Sequence, residues 1–253
     1  KIDTQRHTTT DIGDEPMLLA RHWPTVISRD RAAGAKLIEA QAPDNAVIIM
    51  DDGLQNPALA KDLVIALVDR DRGVGNGRVI PAGPLRAPLR AQAQLTDIIA
   101  TTGIGGDAPA DLQALLGALA KPLIHTMTVA APDSEWLRDR DVIAFAGIAN
   151  PQRFFGLLKS LGARIVAIHT FADHQEFQND DAARLLHQAD QTGAHLVTTE
   201  KDLVRLLGRN GPQSALARRT RALPITTAFD AASEHTLLAH LQRIIRRASP
   251  PGA

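Results

Sequence analysis

The stretch AVIIMDDGLQN, Ala46 to Asn56, sets the reading of the fold. An aliphatic run, Ala46–Met50, ends abruptly in two adjacent carboxylates, Asp51 and Asp52, followed by Gly53. Short aliphatic runs bounded by turn residues read as buried strands. The spacing therefore predicts a strand over 46–50 with both acids at its carboxyl end. In open α/β sheets, ligands collect at the carboxyl ends of the strands. A carboxylate there can hold Mg2+, directly or through water, as phosphate chemistry requires. Successive strand residues point to opposite faces, so one carboxylate of the two faces a ligand squarely. The plainer alternative is a turn in which the acids cap the next residues and Gly53 supplies a positive φ.

Working outward, further runs of the same kind appear at Thr25–Ser28, Leu63–Val68, Asp97–Thr101, Pro122–Val129, Asp141–Gly147, Arg164–Ile168, His195–Thr199 and Leu223–Ala228. Amphipathic stretches predict helices at Glu15–His22, Asp30–Ala40, Gln152–Leu161, Asp180–Thr192 and Ser233–Arg247. Near-continuous aliphatic strands separated by helices imply an α/β protein with a parallel sheet covered on both faces. Regular alternation breaks over Ala130–Arg140, AAPDSEWLRDR, where a domain boundary is expected. The segment Arg72–Pro88 is rich in glycine and proline and has no periodicity; loops of that length in compact domains are usually functional.

Composition narrows the function classes. The 253 residues can bury a sizeable core, and 44% hydrophobic with 22% charged residues is ordinary for a globular chain. Twenty-eight basic residues balance 28 acidic ones, and aromatics are only 3%. Neither a basic field nor a stacking platform points to nucleic acid. With no cysteine there is no disulfide framework, thiolate metal site or thiol nucleophile. No apolar run is long enough to span a bilayer. The chain opens on Lys1 rather than methionine, which marks a processed chain or a fragment.

Other polar clusters stand beside predicted strands. GDEP, Gly13–Pro16, precedes a helix, where Asp14 or Glu15 could be a simple cap, though two acids exceed what a cap needs. FADH, Phe171–His174, follows a strand and offers a histidine able to pair with a carboxylate for proton transfer. Arg78 and Arg86 sit on the glycine-rich segment, suited to phosphate oxygens. Lys201 in TTEKD can reach a phosphate or pair with Glu200. The basic runs RRTR and RIIRR read as solvated helix faces, or more weakly as contacts to anionic lipid. The clusters at the strand ends are expected to converge on one cleft.

Taken in order, DIGDEPMLLAR, VISRDRAAGA, DDGLQNPALAKDL, RGVGNGRVIPAGPLRAPL, FAGIANPQRFFGLLKSLG, FADHQEF and TTEKD closely resemble the tetraacyldisaccharide 4'-kinase (lipid A 4'-kinase) family. The resemblance runs from about Asp11 to Asp202. It implies phosphorylation of the 4'-hydroxyl of a tetraacylated glucosamine disaccharide 1-phosphate, a lipid A precursor, with ATP and Mg2+. It also implies work at the membrane surface, on the cytoplasmic face of the bacterial inner membrane. The implied fold is a P-loop-kinase core, here 1–130, with a smaller α/β domain, 131–248, and a disordered tail, 249–253. The last helices are allowed to pack back on the core.

Matched residue by residue, the resemblance makes Asp14 the catalytic aspartate and His174 its dyad partner. It makes Asp51 and Asp52 the acidic pair near Mg2+ and nucleotide, and places Glu15 and Arg86 with the nucleotide. Gln55 falls near the sugar headgroup, with Arg78 also on the substrate side. Departures are Leu54 and Asn56 where relatives read DDGFQH, Ala87 where they often read PLREP, and FADH for FPDH. No GxxxxGK followed by Ser or Thr occurs in the chain. The family's phosphate loop and an apolar membrane segment precede GDEP, so the chain is expected to begin after both and to be inactive by itself. The alternative is a non-catalytic module that binds the sugar headgroup or an anionic lipid surface.

Overall fold

The computed structural model describes residues 1–43, 46–103 and 108–248; the expected disordered tail, 249–253, lies outside the described residues. In chain order the elements are α1 (Thr9–Ile12), α2 (Asp14–Ala20), α3 (Arg31–Glu39), β1 (Ile65–Asp69), α4 (Leu89–Gln94), β2 (Ile98–Thr102), α5 (Ala110–Gly117) and β3 (Leu123–Ala130). A 3-10 turn (Pro132–Leu137) leads to β4 (Asp141–Ala146), α6 (Pro151–Ser160), β5 (Arg164–Thr170), α7 (Asn179–Thr192) and β6 (His195–Thr199). Then come α8 (Glu200–Leu206), α9 (Gly211–Arg219), β7 (Thr220–Leu223), β8 (Ile225–Phe229) and α10 (Ala231–Ala248).

The chain forms two compact units, one of residues 1–41 with 130–226, the other of residues 42–129 with the described residues from Thr227 onward. Residues 129 and 130 fall in different units. The first 41 residues, however, belong with 130–226 and not with the 42–129 segment, as a 1–130 division requires. The reason is specific: α2 packs on α8, and Asp14 of α2 is paired with Arg205 of α8 at 2.7 Å.

The first unit is built on a four-stranded sheet in the order β5-β4-β6-β7, every neighbouring pair parallel. Its central strand, β4, is buried on both faces, which explains the unbroken apolar run DVIAFA. Period-two alternation sends Val142, Ala144 and Ala146 to one face, where they pack with Phe154, Phe155 and Leu158 of α6. Ile143 and Phe145 go to the other face, against Leu185 of α7, Leu206 of α8 and Leu216 of α9. Phe145 and Phe177 meet edge to face, with ring centroids 5.6 Å apart.

The second unit has the strand order β1-β2-β3-β8, with β1, β2 and β3 parallel. Alternation on β2 places Ile99 against Leu112 and Leu116 of α5. Ile98 and Ala100 lie with Ile124 and Leu237, the latter from α10. Pro224 separates β7 from β8, so the single run expected over 223–228 becomes two strands in different sheets.

Two predicted strands are absent. Thr25–Ser28 and Ala46–Met50 join no sheet; the Thr25 carbonyl accepts the Ile2 N–H at 2.9 Å, and within the second run Val47 and Ile49 are 74% and 91% exposed. An aliphatic run becomes a strand only where a neighbour takes up its backbone hydrogen bonds and a layer covers its side chains; neither sheet supplies that for 46–50. Asp51 and Asp52 therefore close an exposed segment, not a buried strand. Among the described residues, no helix is long and apolar enough to cross a membrane.

Truncating Phe145 to Ala is expected to cost about 3–5 kcal/mol of unfolding free energy. Ile49→Ala in the same chain is expected to shift it by no more than about 0.5 kcal/mol. Urea unfolding of both variants checks the two placements; a large loss at Ile49 contradicts the exposed position of the 46–50 run.

Candidate active site

Three strand ends of the first unit deliver polar groups to one place. Gly147 follows β4, His174 lies in the segment after β5, and α8 starts directly from the last residue of β6. All three are carboxyl ends of parallel strands, where backbone loops open outward from the sheet. The fourth contributor is α2. Gly13, at φ 89°, turns the chain into that helix, so Asp14 is its first residue and Gly13 occupies the cap position.

Asp14 is buried to 8% exposure. Its Oδ1 accepts the backbone N–H of Glu15 at 2.9 Å, and its Oδ2 accepts Arg205 Nε at 2.7 Å. His174 Nδ1 lies 3.2 Å from the same Oδ2. The histidine itself is exposed and takes a left-handed backbone, φ 59°, with its N–H donated to the carbonyl of Gly147 at 3.3 Å. A left-handed non-glycine residue is uncommon and is held here by its surroundings. His174 Nε2 is 3.8 Å from Asp173 and 3.4 Å from Lys201 Nζ. Lys201 pairs with Glu15 at 2.9 Å rather than with Glu200.

Behind this pair sits a second carboxylate. Asp202 is fully buried; its Oδ1 accepts the Gly147 N–H at 3.1 Å and Arg205 Nη1 at 2.9 Å, and its Oδ2 accepts the hydroxyl of Thr199 at 2.6 Å. The same Nη1 donates to the Gly147 carbonyl at 2.8 Å. Arg205 thus joins Asp14 to Asp202. It was not singled out from the sequence, since a lone arginine in an amphipathic helix has no motif; the signal available was its i,i+3 spacing from the acid of TTEKD.

These contacts set the charge states. For Asp14, burial is the largest influence and pushes upward. The hydrogen bond and charge of Arg205, with Lys201 and His174, together outweigh it, so the carboxyl titrates below its ordinary 3.8. Asp202 goes the other way: burial raises it above 3.8 despite Thr199, Arg205 and Gly147, and the neighbouring Asp14 charge adds to the rise.

The remaining predicted site residues lie in the second unit. Asp52 has a left-handed backbone, φ 52°, and pairs with Arg86 at 3.0 Å, both side chains being exposed. Such an exposed pair contributes about 0–1 kcal/mol. It is therefore readily exchanged for a ligand's charges. Asp51 is exposed beside it. Gln55 donates to Gln92 at 2.8 Å. Arg78 is exposed on the glycine-rich loop, which is closed by Leu85 N–H to Arg78 carbonyl and Ile80 N–H to Leu85 carbonyl bonds. A Cβ at Gly83 would lie 2.5 Å from the Arg78 carbonyl oxygen, so this closure requires glycine.

Among the described residues, no three His, Cys, Asp or Glu side chains gather into a cation cage. Asp51 and Asp52 offer two carboxylates, which fits Mg2+ arriving with phosphate oxygens and water, since that ion needs only one or two protein carboxylates.

The fold is of the P-loop-kinase-like α/β class, and comparison with known proteins agrees. A crystal structure of LpxK from Aquifex aeolicus, described as a complex with ATP, superposes with a TM-score of 0.66 at 26% identity, covering 95% of this chain and 71% of that one. The family model for tetraacyldisaccharide-1-P 4'-kinase matches residues 1–242. The tetraacyldisaccharide 4'-kinases of Rhodopseudomonas palustris and Nitrobacter winogradskyi are 46% and 44% identical, each over 91% of this chain. The chain spans 66% and 67% of their lengths. The chain belongs to the tetraacyldisaccharide 4'-kinase family.

The depressed folded value of Asp14 gives a stabilising contribution that is complete above 3.8 and lost as pH falls through that lower value. Asp202, raised, contributes with the opposite sign: fully below 3.8, and lost as pH rises through its folded value. Asp14→Asn is accordingly expected to be less stable than wild type at neutral pH, with the gap closing under acid conditions. Urea unfolding across a pH series measures this, and a gap independent of pH contradicts the assignment.

Proposed function

We propose that the protein transfers the γ-phosphoryl group of ATP to the 4'-hydroxyl of a tetraacyldisaccharide 1-phosphate, a step of lipid A biosynthesis. The observation that carries this is the 3.2 Å approach of His174 Nδ1 to Asp14 Oδ2, with Asp14 held ionised. An ionised carboxylate beside an oriented imidazole can accept the proton that the attacking sugar hydroxyl loses. Asp14 is the acceptor and His174 orients it, and the exposed histidine leaves an open face for the hydroxyl to approach.

The second unit provides the anion-handling groups of the proposal. Arg86 and Arg78 are exposed guanidinium groups suited to phosphate oxygens, and Gln55 is an amide suited to a sugar hydroxyl. Glu15 holds Lys201 beside the dyad, 3.4 Å from His174 Nε2. Asp51 and Asp52 would hold Mg2+. When bound, the ion supplies charge neutralisation on the transferring phosphates. The names of the relatives support the substrate, and the Aquifex structure supports ATP. The acylated acceptor places the reaction at a membrane surface, on the cytoplasmic face of the inner membrane where ATP is available.

In the complete protein, Asp14→Ala is expected to lower kcat for phosphorylation of the tetraacyl disaccharide by about 10²–10⁴-fold. His174→Ala is expected to act in the same direction, and Asp51→Ala to raise the Mg2+ concentration needed for half-maximal rate. Transfer of labelled phosphate to the lipid measures all three. Wild-type turnover in the Asp14 variant would falsify the proposal.

A further inference from the structure

Arg205 is the least expected group in the site. It is 5% exposed, it lies on a helix that the sequence left unassigned, and it touches both buried aspartates. Its three nitrogens are unequally used. Nε donates to Asp14 Oδ2, and Nη1 is shared between the Gly147 carbonyl and Asp202 Oδ1. Nη2 also faces Asp14, 2.7 Å from the same Oδ2. An arginine serving only to neutralise Asp202 has no need to turn its Nε–Nη2 edge toward α2. The orientation makes sense as a means of fixing Asp14.

We propose that Arg205 is the positioning residue of the Asp14–His174 pair: its guanidinium locks the rotamer of Asp14 and anchors that carboxylate, through Asp202 and Gly147, to the carboxyl end of the sheet. This rests on the kinase reading given above. The lock is complete in geometric terms. Oδ1 of Asp14 is taken by the Glu15 N–H and Oδ2 by Arg205, so the carboxylate plane is set before any substrate enters. The anchor is equally constrained. Asp202 is held by Thr199 at the start of α8, and a Cβ on Gly147 would come within 3.1 Å of Arg205 Nη1 and 3.2 Å of Asp202 Oδ1. Gly147 is thus the residue type that lets the guanidinium lie against the strand end.

Arg205 also carries the electrostatic side of the role. The groups facing Asp14 are Lys201, Asp202 and Arg205 from α8, Asp173 and His174 from the segment after β5, and Glu15 from its own helix. Of the cations, only Arg205 touches Asp14 directly and is itself buried. Burial acting on Asp14 without that guanidinium moves its titration upward.

The test uses the complete protein with two variants. Arg205→Lys keeps the charge and loses the planar fork. The double variant Arg205→Met with Asp202→Asn removes the cation and the Asp202 charge together, leaving Asp14 as the carboxylate whose titration is read. Each is assayed for ATP-dependent phosphorylation of the tetraacyl disaccharide 1-phosphate across a pH series, beside a thermal melt and a carbon-13 NMR titration of the Asp14 carboxyl. For Arg205→Lys the expected result is a loss in kcat of roughly tenfold or more, with KM for both substrates within about twofold. For the double variant the acid limb of the pH–rate profile and the Asp14 titration both move to higher pH. Folded variants with wild-type kcat and an unmoved acid limb overturn the proposal, as does a loss of rate that merely follows the folded fraction. If wild-type protein leaves the disaccharide unphosphorylated, it is the kinase reading that fails. The Asp14 titration then still decides the role of Arg205, an unmoved titration overturning it.

Discussion

The first unit depends on one charged contact: a buried guanidinium set between two buried carboxylates. Arg205 satisfies Asp202 within its own helix and Asp14 on α2. Burying an unpaired carboxylate costs several kcal/mol, and the arginine offsets that cost for both aspartates. The same constraint explains why residues 1–41 group with 130–226. The Asp14–Arg205 and Glu15–Lys201 pairs join α2 to α8 and fix which residue of α2 faces the sheet.

Sequence pattern revealed the fold class because the central strand of the first sheet is buried by helices on two faces. The run at 141–147 is apolar at nearly every position, and such a run needs no alternation to be read. The same pattern misled at 46–50. That run has the composition of a strand, yet whether it pairs depends on a neighbour and a covering layer, and composition encodes neither. The division into units was hidden for a similar reason: it follows from a contact between residues 14 and 205, which local spacing cannot show.

Of the site, the dyad residues were legible through motif order, since GDEP and FADH each place an ionisable group beside a predicted turn. Their meeting in space was an expectation of the resemblance, and the geometry brings them to 3.2 Å. Arg205 was not legible, because its chemistry comes from burial and orientation rather than from a neighbouring motif. Lys201 was legible as a charge but not in its partner. Helix geometry turns it away from Glu200, whose carboxylate accepts the Ile225 N–H at 3.4 Å, and toward Glu15 on another helix. The grouping of Asp51, Asp52, Gln55, Arg78 and Arg86 in the second unit shows that the predicted site residues are distributed over two folding units.

The long reach of the Asp14–Arg205 contact bears on how the chain acquires its chemistry. The two residues are 191 positions apart, with residues 42–129 folding as part of another unit in between. Closing so long a loop is entropically unfavourable, and non-local contacts of this kind form late, after local helices and sheet pairs have made the ends meet. Gly147, Asp202 and Arg205 all come from the sheet and its following helix, so they can assemble first and present a vacant guanidinium edge. Asp14 is the member of the cluster that comes from a distant part of the sequence. The proposed proton acceptor is therefore complete only where two segments 191 positions apart meet, and a molecule in which they have not met lacks the Asp14–His174 contact.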